Sequence, residues 1–347
     1  MRWTRTGGAL LVLAFAAPAW ARQDATAEAD TAPVDTSVHT DVSTSTIAPV
    51  VVSGLQPGPR LWTVSRDGHV MWVLGTQSPL PKGLDWAPGE TAARVREARV
   101  VLRPPMVEVG ADIGFFSGLA LLPRALSARK NPDGKTLAQV LPADVYARWV
   151  PLKSRYLGRD RGVEKFRPLF AASELWNAAI RKSGLSRDDI AWREIADLVE
   201  ETKPDVRRPT VTVKLQDPGK ILKQLKGTAL DDTACFERTL TRLEVDLDNM
   251  RRRGNAWAVG DLATLRALPY VDAAQACQDA MMSASIVKER GLGDLDARAE
   301  AAWLAEAERS IKDAAVSFAM LPIQELLDAD GYIARLRARG YTVDMRE

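Results

Sequence analysis

The sequence predicts an α/β protein with a mixed central sheet, flanking helices and a large helical insertion. Two apolar runs, "LWTVS" and "HVMWVLGT", flank Arg66-Asp67-Gly68, and Asp-Gly between such runs signals a β-hairpin. A helical pattern over 90–98 leads into the strand-like "ARVVLRPP", giving one βαβ-like unit, so antiparallel and parallel pairing share the chain. From Leu137 to Val199, and again beyond Thr233, apolar residues recur at helical spacing.

The N-terminus reads as an export leader. Arg2 and Arg5 precede the apolar stretch Ala9 to Ala17, and Ala19-Trp20-Ala21 supplies a small-x-small cleavage pattern. Residues 1–21 are therefore expected to be a signal peptide cut after Ala21, and the product to be periplasmic or secreted. Residues 22–55 are expected to be a disordered linker, because the run of Ala, Thr, Ser, Asp and Pro up to residue 48 has almost nothing to bury. His39 sits in that linker. Residues 56–347 then form one domain, with the helix-rich insertion spanning about 137–310.

The elements follow in order. His69 opens the second hairpin strand as an exposed or half-buried residue, and that strand delivers Gly75-Thr76-Gln77-Ser78 to a loop in which Gly75 is expected to make the turn and Pro79 and Pro81 to fix the exit. "PTVTVKL" places Val211, Val213 and Leu215 on one side of a strand. Thr233 is placed to cap one long helix in which Phe236, Leu240, Leu243, Leu247 and Met250 recur. Helices near 272–289 and from about Asp294 to Ala314 follow; "AVSFAMLPIQELL" is a strand entering a helix, Gly340 ends the next helix, and Tyr341 to Met345 form a last strand.

Charge and cysteine usage narrow the function. Loss of Arg2 and Arg5 with the leader reduces 47 Lys and Arg to 45, equal to the 45 Asp and Glu. Such a balance gives no general basis for binding nucleic acid or an anionic membrane. The longest apolar stretch after the leader, Ile113 to Pro123, is about half of the roughly 20 residues a membrane span needs. The only cysteines, Cys235 and Cys277, are expected to pair as a disulfide in an oxidising compartment.

The entry hairpin, the following "PLPKGLDW" and the terminal "GYIARLRARGYTVD" resemble the TraB/GumN (PrgY) family, which groups with the TIKI metalloproteases; the similarity covers about Leu61 to Met345. The resemblance implies a Gly-x-x-His near the first sheet loop, a second one before the final helix and strand, supporting acids, and a divalent metal that activates water. In this chain Gly75 and Ser78 occupy the first motif, and Pro322 and Glu325 the second. Arg103 and Pro104 stand where relatives tend to place an acid, and the only histidines are His39 and His69.

The expected function follows from that deficit: an exported, catalytically inactive scaffold that binds an unknown protein, peptide or envelope component, with no cofactor, no nucleic acid and no transmembrane segment after leader removal. The cleft between the Gly75 loop and the Pro322 region is its expected ligand site. The alternative is a metal-dependent hydrolase, a TIKI-like peptidase or esterase with non-histidine ligands. A hard-ion site from Glu325, Asp328 and Asp330 with Glu108 or Asp112 would serve it. Ser78 as a nucleophile lacks both the Gly-x-Ser-x-Gly context and a placed histidine.

Overall fold

The computed structural model describes residues 54–110, 115–227, 232–269, 277 and 294–345. The expected leader, the linker up to residue 53, His39, Asp112 and nearly all of the helix expected near 272–289 lie outside them.

The hairpin forms as expected. Strands β1 (Leu61–Arg66) and β2 (His69–Thr76) pair antiparallel across Asp67 and Gly68. Both turn residues have positive φ, 50° and 80°, the geometry that an Asp-Gly pair adopts readily. Met71 through Leu74 are all buried; four consecutive buried strand positions require both sheet faces to be covered.

Helix α1 (Gly89–Glu97) leads into β4 (Val100–Leu102), after a short β3 (Leu80–Pro81). Late in the chain come helix α11 (Leu295–Asp313), β9 (Val316–Pro322) and β10 (Thr342–Met345), and β7 (Asp205–Arg207) completes a six-stranded sheet in the order β10-β1-β2-β9-β4-β7. β2, β9, β4 and β7 run parallel, whereas β1 is antiparallel to both of its neighbours. The sheet is therefore mixed, and the crossover from β2 through α1 to β4 leaves a slot that β9 fills.

Two further pairs stand outside this sheet: β3 with β6 (Leu185–Ser186), and β5 (Met106–Gly110) parallel to β8 (Thr210–Lys214). Each strand of the second pair feeds a helix, α2 (Phe115–Ala128) and α7 (Pro218–Gly227). The helix-rich stretch 137–310 thus also contributes β6, β7 and β8. Its helices α3 (Leu137–Val140), α4 (Ala143–Tyr156) and α5 (Pro168–Lys182) build a second core with α8 (Thr233–Val245), centred on Trp149, Leu175, Phe236 and Leu240. Helix α6 (Ile190–Thr202) joins the sheet core through Ile190, Ala191 and Ile195.

The long helix expected after Thr233 is two helices, α8 and α9 (Leu247–Ala258). Thr233 is the first helical residue and not the cap; Asp232 precedes it and its carboxylate accepts the Leu169 N–H at 2.9 Å. The break falls at Asp246, which is completely buried and held by Arg253 at 2.8 Å and Arg242 at 3.6 Å. An aspartate at that depth needs cationic partners, and α8 and α9 each deliver one. Cys235, in the first turn of α8, is disulfide-bonded to Cys277.

Candidate functional site

The site begins with strand register. Gly75 lies beside Leu321 and Thr76 beside Pro322 on the parallel strands β2 and β9, so the two motif regions, about 245 residues apart in sequence, end side by side. After β2 the chain turns through Gln77 and Ser78 toward β3; after β9 it enters α12 (Ile323–Leu327) directly. Carboxyl ends of adjacent parallel strands are where open α/β sheets place ligands.

Gly75 does not make the turn expected of it, for it lies inside β2. A Cβ there would stand 2.3 Å from Ile323 Cδ1 and 3.0 Å from Leu326 Cδ1. Glycine is needed because α12 crosses the strand at contact distance. On the other side, the buried Trp257 of α9 donates from Nε1 to the Gly75 carbonyl at 2.7 Å and leans on Trp86 with ring centroids 5.4 Å apart. The end of β2 is clamped between two elements.

A cleft of about 900 Å³ opens above this clamp, lined by Gln77, Ser78, Pro322 and Glu325 among others. Its far wall is α10 (Leu262–Ala267) with Leu268 and Pro269, contributing Leu265 and Arg266. Asp261 holds that wall as N-cap, accepting the Thr264 backbone N–H at 3.0 Å and the Thr264 hydroxyl. These two bonds, the hydroxyl first, keep the Asp261 carboxyl below the ordinary carboxylate range.

The four motif residues named from sequence are therefore brought together: Ser78, Pro322 and Glu325 line the cleft and Gly75 underlies it. Asp328 lines it as well, but Asp330 is exposed, its N–H bonded to Asp328 Oδ1 at 3.0 Å, and Glu108 belongs to β5. Arg103, just past β4, is committed elsewhere: its guanidinium lies 3.8 Å from the Trp192 ring centroid and 3.3 Å from Asp189. Desolvation and nearby Arg208 lower its pKa, and Asp189 opposes them.

Two contributors were missed. Gln77 is 7 % exposed, donates only a long 3.4 Å bond to the Ser78 carbonyl, and leaves Oε1 unpartnered among the described residues. Arg266 comes from a helix whose place beside β2 no local pattern announces. Near Glu325, Tyr332 is half-buried against Trp303, ring centroids 5.2 Å apart. Burial, then Glu325, Glu300 and Asp296, push its phenol up, against Arg335. It remains a neutral hydroxyl across the physiological range.

The divalent ion implied by the sequence resemblance needs several nitrogen or oxygen ligands converging on one point. Among the described residues no three His, Cys, Asp or Glu side chains are so grouped. His69 stands at the opposite end of β2, where Nδ1 lies 2.7 Å from the Ile311 carbonyl and 3.0 Å from that of Ala314, so an N–H there is already spent. The residues of the cleft do not fit a histidine-ligated centre.

Fold and site together define a mixed α/β protein with a strand-end cleft. Residues 60–345 match the TraB/PrgY/gumN family, and the chain belongs to it. Neither a curated protein nor a solved structure matches the chain.

Proposed function

We propose that the chain is an exported, catalytically inactive member of the TraB/PrgY/gumN family that uses the cleft to bind a peptide or another envelope component. One observation carries the reading: both positions that the family resemblance assigns to histidine converge on the cleft, and they hold Ser78 and Glu325. The strand register that would bring two ligands together is intact while the ligands differ. Gln77, Ser78 and Gln324 offer donors and acceptors, Leu265, Leu268 and Leu327 offer apolar surface, and Arg266 faces Glu325 and Asp328 in charge. That mixture suits a backbone-bearing ligand with side chains better than a bare ion. The cysteine pair supports an oxidising compartment.

Elemental analysis of the purified protein after exhaustive dialysis tests the reading. The expected result is substoichiometric divalent metal in the natural sequence, and weak affinity at best after Ser78→His with Glu325→His, since supporting acids are also missing. Stoichiometric metal retained by the unaltered chain would overturn it and favour the hydrolase.

A further inference from the structure

The cleft wall holds one acceptor that the fold leaves without a donor. Gln77 is 7 % exposed, its Nε2 reaches only the Ser78 carbonyl at 3.4 Å, and its Oε1 has no partner among the described residues. An amide nitrogen must face that carbonyl, so the oxygen is the atom left over. A buried acceptor in this state costs free energy that a donor arriving with a ligand recovers. The terminal torsion of a glutamine is broad and soft, so a small rotation turns Oε1 toward the cleft without moving the end of β2.

Charge decides which donor fits. A smaller pocket of about 280 Å³ adjoins the cleft on the side of β10, lined by Trp62, Arg337 and Asp344 among others. Arg266 and Asp328 line both hollows, so these opposite charges stand at the boundary and offset one another there. Gln77, Ser78 and Glu325 line the cleft alone. Glu325 is half-buried, and among the described residues it is the one ionised side chain of that inner part. The inner cleft therefore joins a single negative charge to an orphaned acceptor.

An anionic ligand would meet Glu325 unfavourably, and a neutral hydroxyl or amide would satisfy Gln77 while leaving the carboxylate charge unmatched. A primary ammonium answers both: it is compact, carries three donors and no acceptor, and makes charge-assisted bonds to carboxylate and amide oxygens. Leu265, Leu268 and Leu327 line the rest of the cleft and suit an apolar chain behind the charged head.

We infer that the inner cleft binds a primary ammonium group, the free amino terminus of a peptide or a lysine side chain, with Gln77 Oε1 and Glu325 as its acceptors. The inference rests on the binding role proposed above and adds the chemical class of the bound end.

Isothermal titration calorimetry of the full chain tests it with three probes: trileucine amide, its N-acetylated form, and the N-acetylated form extended by one lysine. The free amine should bind, and acetylation should weaken it by about tenfold or more as charge and donors disappear. Affinity recovered by the lysine-bearing probe assigns the site to side chains as well, and affinity not recovered assigns it to amino termini; either supports the inference. Gln77→Leu and Glu325→Gln should each weaken binding of the free amine by about tenfold. Acetylation needs no variant, so the test survives a variant that fails to fold. Equal affinity for all three probes, or undiminished binding by a folded Gln77→Leu chain, overturns the inference and leaves the binding role standing. Binding of no probe overturns it as well, and the metal analysis above then decides the broader reading by itself.

Discussion

Gly75 and Gln77 are two residues apart and do opposite things to stability. Gly75→Ala would push a methyl into Ile323 and Leu326, both buried, and an overpacked core site of this kind costs about 1–3 kcal/mol. Urea denaturation should show that loss, and cleft geometry should shift with it because α12 must move. Gln77 is the reverse case: a buried amide with an unpartnered oxygen loses hydration without recovering a full bond. Gln77→Leu should therefore raise stability by about 1 kcal/mol in the same assay. A natural sequence that keeps the less stable residue at a cleft wall fits a site retained for binding, and unchanged or lower stability in the leucine variant would remove that support.

At the level of elements, α10 is the cleft wall whose attachment depends most plainly on one side chain. The Asp261 carboxyl has a lower pKa folded than unfolded, so its stabilisation is full above the unfolded value, about 3.9, and is lost as pH falls through the folded one. Asp261→Ala should cost about 1 kcal/mol at neutral pH, and denaturation from pH 7 downward should show the gap closing below about pH 4. The elements themselves differ in how far local sequence announces them. The β1–β2 hairpin, β8, β9 and the last helix and strand stand out by alternation and turn chemistry, because each is set by residues within a few positions. The break between α8 and α9 does not, because Arg253 acts on Asp246 from about two helical turns away and only burial makes the acid decisive. Ser78 and Glu325 were readable as a pair only through family resemblance; Gln77 and Arg266 had no such guide, since their roles arise from β9 and α10 arriving beside β2.

Across the whole molecule, the two largest hydrophobic cores among the described residues are the sheet core and the helical one, and the disulfide at the start of α8, packed with Leu169, closes 42 residues of sequence. A closed loop of that length contributes about 4 kcal/mol in the chain-entropy view. Replacing both cysteines by serine should lower the unfolding free energy by up to that amount in urea, and addition of reductant to the natural protein should do the same. The order of strands has a further effect. Both flanks of the N-terminal hairpin are occupied by segments from the far end of the polypeptide, β9 on one side and β10 on the other. During synthesis the hairpin therefore waits with two open hydrogen-bonding edges until residues 316–345 emerge, so its sheet cannot close before everything between has been made, and both edges need shielding from stray strands in the meantime.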